Sequence, residues 1–523
     1  MTASLLGVGL AMAVVVVASR ALSQRSGLPY PVFLVVAGAA ASFAPHVPAI
    51  HLDPRVVFLG FLPPLVYHAG LVTSPRELRA NALPISLGAL GLVLATTFAV
   101  AGVAWAVAPA LGWVGAFVLG SVVAPTDPVA ATSVLKRLGG PPQVTTILEG
   151  ESLVNDGIAL SLFALGLAAV AAPTSVGGGV LSFVKVAGGG AAFGLGIGWI
   201  ASRVRRPLRD PASQLVVSLL IPFVAYLPAN ALGLSGVLST LVTGLVLGQQ
   251  GLAGLAPSGR IRVADFWEVL VFLLESALFL LVGFQLRFII SGVSSYSTAT
   301  VALVAGLAVG VVVVVRMAWW LAVPTVRWRA EERMVDTGGV PWQDRVALGW
   351  SGLRGAISLA AALSIPTAVA GRAFPAPDLV VFATFCVIAV TLVGQGTSLP
   401  WLLRRLNLVG SDVERRQHAV AERRCAEAAL RQLDELVAQQ QVPDAVAETL
   451  RQVYERRLDR VRIELGGIDA DEAPPVSLSA VQRRLLVTQH EALRQLHDRG
   501  EISFAVMRDV RRELDLEQAS LEH

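Results

Sequence analysis

The chain has 523 residues, of which 54% are hydrophobic and only 15% are charged. Soluble proteins are on average about a quarter charged, so this composition argues against a soluble protein and favours a body embedded in lipid. The small formal net charge of +4 gives no indication of a nucleic-acid partner. Cys386 and Cys425 are too few for a disulfide framework or a thiolate metal cluster, and no cofactor fingerprint occurs.

Apolar runs that are long enough to cross a bilayer recur along the chain as far as about Leu403. The first run, from Leu5 to Ala18, has no preceding basic segment and is followed by Arg20 and Arg25. We therefore interpret it as a retained span and not as a cleaved signal peptide. About thirteen transmembrane helices are predicted in total. Their approximate limits are 3–19, 27–44, 54–72, 83–108, 112–135, 144–172, 178–202, 213–229, 231–249, 265–289, 299–323, 345–369 and 377–403.

Basic residues are concentrated in alternate loops between these spans. The opposite loops contain little more than Arg55, Arg287 and Arg372. Because basic loops stay in the cytoplasm, this asymmetry predicts an external N-terminus and a cytoplasmic C-terminus. The basic loop residues are Arg20, Arg25, Arg76, Arg79, Lys136, Arg137, Arg203, Arg205, Arg206, Arg209, Arg260, Arg262, Arg327, Arg329, Arg333 and Arg345.

The fifth span contains two prolines, Pro125 and Pro128, on either side of Thr126 and Asp127. Each proline removes a helical hydrogen bond, so together they predict a locally unwound segment. Unwound backbone at membrane depth is tolerated where it lines a cavity or is buried in protein, and its carbonyl oxygens are suitable ligands for a hard cation. The alternative is a structural kink in which Asp127 acts as a helix cap.

The sixth span carries four polar residues, Glu151, Ser152, Asn155 and Asp156. Their spacing of i, i+1, i+4 and i+5 projects them to one side of a helix. Ionisable groups at membrane depth persist mainly where they meet water, a partner or a substrate. Two carboxylates, an amide and a hydroxyl together can bind a cation or exchange it for a proton. A polar seam between helices is the alternative.

The seventh and tenth spans each contain a further distinctive feature. In the seventh span Gly190, Gly194 and Gly198 recur at every fourth position, a pattern that is typical of closely packed helices. In the tenth span Glu275 interrupts an apolar run, where it either lines a permeation path or pairs with a neighbouring helix.

The twelfth span contains an arginine, Arg354, between Gly352 and Gly355, a combination that suggests a broken helix. A buried guanidinium keeps its charge and needs a carboxylate or helix-terminal carbonyls. Glu151 is the preferred partner. The alternative is an arginine at the membrane interface.

Beyond Trp401 the composition changes to Arg, Glu, Gln and Leu. Helical apolar spacing predicts amphipathic cytosolic helices on either side of a proline-containing hinge at 471–475. This predicts a transmembrane domain at 1–405 and a cytosolic helical tail at 406–523, either a solvated tail or a module that supports regulation or dimerisation. The apolar positions are Leu430, Leu433 and Leu436, then Leu485, Leu486, Leu493 and Leu496.

Several motifs, in their order and their placement on the spans, resemble the monovalent cation/proton antiporters of the first type, particularly the bacterial sodium/proton exchangers. The resemblance covers nearly the whole chain. It rests on Leu62-Pro63-Pro64-Leu65, Thr126-Asp127-Pro128, Glu151-Ser152-Leu153-Val154-Asn155-Asp156, Phe272-Leu273-Leu274, Phe279-Leu280-Leu281-Val282-Gly283, Leu353-Arg354-Gly355-Ala356 and Val393-Gly394-Gln395-Gly396.

The resemblance implies an all-α membrane protein with thirteen helices in inverted repeats. Two crossed discontinuous helices match the fifth and twelfth spans, and Asp127 and Arg354 neutralise the facing half-helix ends. It also implies a homodimer in which a core domain moves against a dimerisation domain.

The resemblance further implies roles for individual residues. Asp156 would take up either the proton or the cation, Ser152 and the Thr126 backbone would complete a Na+ shell, and Asp127 would act through water. Glu151 would form a structural salt bridge with Arg354. Asn155, which precedes Asp156 where some relatives have a second aspartate, marks electroneutral one-for-one exchange, and we count it among the ion-binding residues.

The third span departs from the family pattern, because His68 stands near a position where many relatives carry an acidic residue. His68 either takes up protons or caps an interfacial helix. The predicted function is Na+/H+ exchange across the cell membrane by alternating access, without a cofactor or an enzymatic activity. Exchange of K+ or Li+ is the alternative. A channel lacks its filter sequence, and an intramembrane serine hydrolase built on Ser152 lacks the final glycine of the nucleophile elbow.

Overall fold

A computed structural model describes residues 2–44, 53–171, 176–208, 210–249, 257–322, 341–410 and 413–469. Contacts between residues divide the chain into two compact units, Met1–Gly410 and Ser411–His523. The predicted hinge at 471–475 lies outside the described residues. So do the apolar positions Leu485, Leu486, Leu493 and Leu496 and the loop arginines Arg209, Arg327, Arg329 and Arg333.

The described residues are almost entirely helical. A small antiparallel hairpin pairs β1 (Ala368–Val369) with β2 (Arg372–Ala373). Three π-helical segments, Val57–Phe61, Leu87–Leu92 and Thr391–Gln395, join consecutive helices into longer rods, and 3-10 turns occur at Pro109–Leu111 and Val293–Ser295. The α-helices are α1 (Thr2–Ser26), α2 (Tyr30–Ser42), α3 (Pro54–Val56), α4 (Leu62–Val72), α5 (Pro75–Ala80), α6 (Ala82–Ser86), α7 (Val93–Val107), α8 (Gly112–Val123), α9 (Val129–Leu138), α10 (Pro142–Ala171), α11 (Val176–Arg205), α12 (Pro211–Ala231), α13 (Gly236–Gln249), α14 (Pro257–Phe284), α15 (Leu286–Gly292), α16 (Thr298–Ala322), α17 (Trp342–Trp350), α18 (Ala356–Leu363), α19 (Pro377–Val390), α20 (Gly396–Arg405), α21 (Val413–Ala438) and α22 (Asp444–Asp469).

Each predicted span coincides with helix in the structure. Eight helical rods within the described residues are long and apolar enough to cross a membrane. The helices Tyr30–Ser42 and Gly236–Gln249 are apolar but shorter, and the fifth and twelfth spans are interrupted. The count of thirteen spans stays a prediction. The eight rods are Pro54–Val72, Ala82–Val107, Pro142–Ala171, Gly177–Arg205, Ala212–Ala231, Arg262–Ser295, Thr298–Ala322 and Pro377–Arg405.

The two interruptions are those that the sequence predicts. The fifth span ends its first half at Val123 and resumes at Val129, while the twelfth ends its first half at Trp350 and resumes at Ala356. The unwound segments meet, because the Asp127 backbone N–H donates a hydrogen bond of 2.8 Å to the Leu353 carbonyl. This bond satisfies one of the backbone groups that the broken helices leave unpaired.

The helices of the first unit form two groups, and packing is more extensive within each group than between them. In the first, which we call the α13 group (α1, α2, α4 and α11–α14), α2 packs on α14, and α13 packs on α4, α11 and α12. In the second, the α8 group (α7–α10 and α16–α20), α8 packs on α7 and α10, and α16 packs on α7, α17 and α19. Both broken helices therefore belong to the α8 group.

The glycine ridge of the seventh span is a packing surface within the α13 group. Gly190 and Gly194 of α11 lie against the backbone of Ser235 and Ser239 at the start of α13, and Gly198 lies against Val246. A Cβ atom on Gly194 would stand 2.2 Å from the Ser239 carbonyl oxygen, which is closer than atoms can approach. The ridge thus brings two helices into backbone contact, as its spacing predicts.

Replacing Gly194 with Ala is expected to destabilise the protein by about 1–3 kcal/mol, because the added methyl group forces α11 away from α13. Gly196 of the same helix provides the matched control, since a Cβ atom there would meet nothing within 4 Å. G196A is expected to be neutral or to stabilise the helix by up to about 1 kcal/mol. Thermal unfolding of both variants in the same detergent tests the difference, and equal midpoints would contradict it.

In the second unit, α21 and α22 pack against each other as a helical hairpin. Leu433, one of the predicted apolar positions of α21, is buried, as is Ala447 of α22. The Arg451 guanidinium also pairs with the carboxylate of Asp434 across the hairpin.

Candidate ion-binding site

The unwound segment of the fifth span is held by side chains of α10. The Ser152 hydroxyl donates a hydrogen bond of 2.5 Å to the Thr126 carbonyl oxygen. The Asn155 amide donates one of 2.9 Å to the Thr126 hydroxyl, which in turn donates one of 3.0 Å to the Glu151 carboxylate. Three of the four polar residues of the sixth span therefore fix the position of Thr126, and Thr126, Ser152 and Asn155 are all buried.

Asp127 lies where the second halves of both broken helices begin. Its carboxylate accepts a hydrogen bond of 2.9 Å from the Val129 backbone N–H in the first turn of α9. Gly355, directly before α18, lies so close that a Cβ atom there would stand 2.2 Å from the Asp127 carboxylate, so only glycine fits. The carboxylate thus faces two helix N-termini, whose partial positive charge stabilises it.

Arg354 occupies the opposite position, where the first halves of the broken helices end. It is buried, its Nε–H donates a hydrogen bond of 2.9 Å to the carbonyl of Val123, the last residue of α8, and its Nη1 donates to the Gly352 carbonyl just beyond α17. Carbonyls at helix C-termini carry partial negative charge, which offsets the charge of the guanidinium. The alternative of an interfacial arginine does not fit this burial.

The predicted salt bridge between Glu151 and Arg354 is wrong. Glu151 pairs with Arg316 of α16 through two hydrogen bonds, of 2.5 Å from Nη1 and 3.2 Å from Nη2, and each side chain is 1% exposed. Helix-terminal carbonyls satisfy Arg354 instead. Arg316 is absent from the sequence-based predictions, although a single arginine inside the apolar run Thr298–Ala322 was a sufficient signal.

A cavity of about 980 Å3 reaches this site. Asp156 lines it, and within the part of the chain that the structure describes, the Asp156 carboxylate has no hydrogen bond or ion pair. Thr126, Asp127 and Ser152 line the same cavity. Glu151 and Asn155 do not, because their side chains are buried on the side of α10 that faces Thr126 and Arg316.

Basic side chains of α1 and α9 line another part of the cavity, which we call its basic end: Arg20, Lys136 and Arg137. Glu149, which pairs with Lys136, also lines the cavity. Arg137 donates hydrogen bonds to two carbonyls, those of Ser23 (3.1 Å) and Gly27, and so joins the α8 group to the α13 group.

The two residues that the sequence left open, Glu275 and His68, both line the cavity. Glu275 accepts a hydrogen bond of 2.8 Å from the Tyr30 hydroxyl at the start of α2. His68 of α4 stacks on Trp267, with ring centroids 5.8 Å apart. His68 lies inside the helix Leu62–Val72 and not at its first turn, which does not fit a capping role.

Residues with oxygen-bearing groups line the cavity together with Asp156. The described residues contain no group of three His, Cys, Asp or Glu side chains that could hold a metal ion. The cavity instead offers the Asp156 carboxylate together with the Ser152 hydroxyl, the Thr126 carbonyl and the Asp127 carboxylate. Hard cations prefer such oxygen ligands.

Comparisons with known proteins agree with this chemistry. Residues 10–405 match the family model described as sodium/hydrogen exchanger, transmembrane. The chain is 34% identical over 524 residues to the uncharacterized Na+/H+ exchanger Rv2287 of Mycobacterium tuberculosis, covering 98% of this chain and 95% of that protein. It is 33% identical to the low-affinity Na+/H+ antiporter NhaS1 of Synechocystis, covering 81% and 78%. The solved structure of the sodium proton antiporter MjNhaP1 from Methanocaldococcus jannaschii matches with a TM-score of 0.60 at 17% identity, covering 77% of this chain and 99% of that one.

Proposed function

The chain belongs to the sodium/hydrogen exchanger family, a family of multi-pass membrane transporters, and on that premise we propose that Asp156 is the residue at which Na+ and H+ are exchanged. The observation that carries this proposal is a carboxylate in a cavity that has no hydrogen bond or ion pair with any described residue, beside unwound backbone that Ser152 and Asn155 hold in place. Exchange needs no cofactor, because the gradient of one ion drives the movement of the other.

Exchange follows from competition for one carboxylate. When Asp156 is ionised it attracts a cation, with Ser152 and the Thr126 carbonyl as further oxygen ligands and Asp127 acting through water. When Asp156 is protonated, the cation loses its only directly coordinating charge. Because a bound proton and a bound cation exclude each other, each ion is carried in the opposite direction to the other.

Alternating access requires the site to face each side of the membrane in turn. The division into two helix groups supports a movement of the α8 group, which carries the site, against the α13 group. The Arg137 contacts to Ser23 and Gly27 join the groups at the basic end of the cavity. By the positive-inside rule that end is cytoplasmic, with the N-terminus outside and the C-terminal unit inside. We also propose that the helices form inverted repeats and that the protein is a homodimer surrounded by lipid, as the family resemblance implies.

The stoichiometry in this proposal is one Na+ for one H+. Asn155 cannot ionise, and it is occupied with Thr126, so the α10 side of the site contributes a single free carboxylate. Exchange of K+ or Li+ remains the second candidate, because oxygen ligands of this kind serve all three alkali ions. A serine hydrolase is disfavoured, since the Ser152 hydroxyl donates to a backbone carbonyl and not to a histidine.

Proton flux in proteoliposomes tests the function. Purified protein is reconstituted, the membrane potential is clamped, and Na+, Li+ and K+ are added in turn while the internal pH is followed. The expected result is a Na+-driven proton flux with no dependence on the potential. A flux that responds equally to all three cations would favour the alternative selectivity, and a potential-dependent flux would contradict one-for-one exchange. Absence of cation-driven flux would refute the proposed function.

A further inference from the structure

Glu275 is a carboxylate of the cavity that the Asp156 mechanism does not use. It interrupts the apolar run of α14, lines the cavity together with Asp127 and Asp156, and forms no ion pair with any residue that the structure describes. Carboxylates at membrane depth are rare and are usually paired. Glu275 has the Tyr30 hydroxyl as its hydrogen-bond donor and no positive partner, which is the state expected of a group that receives a cation.

A purely structural role explains these features poorly. A hydrogen bond between α2 and α14 would be needed if little else held the helices together. However, glycines on both helices already allow their backbones to pack in direct contact. A Cβ atom on Gly38 of α2 would stand 2.2 Å from the carbonyl oxygen of Leu280 in α14. A Cβ atom on Gly283 of α14 would stand equally close, at 2.2 Å, to the carbonyl oxygen of Val35 in α2. The packing of α2 on α14 therefore does not depend on the Tyr30–Glu275 bond.

The charged and titratable groups around Glu275 come from several elements. Tyr30 lies on α2, Arg20 on α1, His68 on α4 and Asp127 on the unwound segment, and all of them line the cavity. Arg20 stacks over Phe272, three residues before Glu275, with 4.7 Å between the guanidinium carbon and the ring centroid. Of the other segments packed on α14, Val57–Phe61, α12 and α18 contain no charged side chain, although α12 contains the titratable Tyr226, and α15 contains Arg287. Glu268, two helical turns before Glu275 on α14, also lines the cavity.

We propose that Glu275, oriented by the Tyr30 hydroxyl, is a second cation-binding carboxylate, at which Na+ and H+ compete before either ion reaches Asp156. This inference rests on the proposed exchange function. Glu275 equilibrates with the solution at the basic end of the cavity, so it sets the concentration of Na+ at Asp156 without changing the number of ions carried per cycle. Tyr30 donates its hydroxyl hydrogen to the Glu275 carboxylate and so holds that carboxylate in the orientation in which it accepts a cation.

Two variants test this role in proteoliposomes. Glu275→Gln keeps the size of the side chain and removes its charge, and it is expected to raise the Na+ concentration for half-maximal exchange by about tenfold while the maximal rate changes less than twofold. Asp265→Asn is the matched control, because Asp265 is exposed on the same helix outside the cavity. It is expected to leave the half-maximal concentration within twofold of the original.

The second variant, Tyr30→Phe, removes one hydroxyl and retains the ring. Without this donor the Glu275 carboxylate is no longer held in place, so the Na+ concentration for half-maximal exchange is expected to rise by about threefold while the maximal rate changes less than twofold. In the E275Q background the same change should produce no further rise, whereas a merely structural Tyr30 would alter stability and leave the half-maximal concentration in place.

The results separate this inference from the proposed function. If the unaltered protein shows no Na+-driven proton flux, both the proposed exchange function and the role of Glu275 are refuted. If it exchanges normally and folded E275Q has an unchanged half-maximal Na+ concentration, Glu275 is not a cation-binding residue and only this inference is refuted. Should E275Q fail to fold, Y30F is the deciding variant, and an unchanged half-maximal Na+ concentration in that variant refutes the role.

Discussion

Replacing Asp156 with Asn is expected to reduce Na+-driven proton flux by at least about a hundredfold while the protein remains folded. Asn has nearly the same size as Asp but can neither ionise nor take up a proton, so it removes the group at which the two transported ions are exchanged. The carboxylate makes no hydrogen bond within the described residues, and its loss therefore leaves no buried partner unsatisfied. Flux in proteoliposomes and the unfolding temperature in detergent measure the two quantities separately.

Asp210→Asn is a suitable control for this substitution. Asp210 caps the exposed start of α12, where the backbone N–H and hydroxyl of Ser213 lower the pKa of its carboxyl. Because the folded-state pKa is lowered, the stability that the ionised cap contributes is lost only as the pH falls through that value, well below the range of the assay. Asn is an equally good cap, so D210N should retain full exchange. Flux in D156N that matches D210N would overturn the role of Asp156.

Breaking the buried pair of Glu151 and Arg316 is expected to destabilise the protein by about 3–5 kcal/mol. Each side chain is 1% exposed, so Glu151→Gln leaves the Arg316 charge in the interior without its carboxylate, close to the second buried guanidinium of Arg354. The Thr126 hydroxyl also loses its charged acceptor. We expect a large drop in the unfolding temperature and in the yield of folded protein.

Removing both charges should destabilise the protein less than removing one of them. The double variant E151Q/R316M eliminates the uncompensated charge, and we expect it to recover at least half of the lost stability. The exposed pair of Lys136 and Glu149, whose side chains are 63% and 42% exposed, provides a contrast. K136A should cost at most about 1 kcal/mol, since water solvates either partner alone. If E151Q unfolds at the same temperature as K136A, the Glu151–Arg316 pair does not stabilise the fold as proposed.

Local chemistry made part of the architecture predictable from the sequence. Apolar runs identify membrane helices because each residue must individually tolerate lipid, and Pro125 and Pro128 interrupt a helix wherever it packs. Arg354 beside Gly352 and Gly355 likewise indicated a break, and the structure shows both breaks at the predicted places. The glycine ridge of α11 indicated close packing, although its spacing could not identify α13 as the helix packed against it.

The partners of the buried polar groups depended on tertiary structure. Arg316 and Arg354 both lie at membrane depth, and separation along the chain gives no indication of which one reaches Glu151. The hydrogen bond between Tyr30 and Glu275 joins residues 245 positions apart, and neither residue carries a local signal of the other. Such pairs are fixed by how whole helices pack, which is a property of the assembled group and not of any one segment.

The sixth span shows most clearly which features follow from the sequence and which depend on tertiary structure. The sequence by itself determined that Glu151, Ser152, Asn155 and Asp156 share one side of a helix, because successive residues are rotated by about 100°. That side of the helix is broad, however, and in the structure its four side chains face two different environments. Glu151 and Asn155 are turned toward Arg316 and Thr126 in the interior, while Ser152 and Asp156 line the cavity. Helical periodicity sets the angles between side chains, but only the neighbouring helices decide which of those angles face protein and which face water.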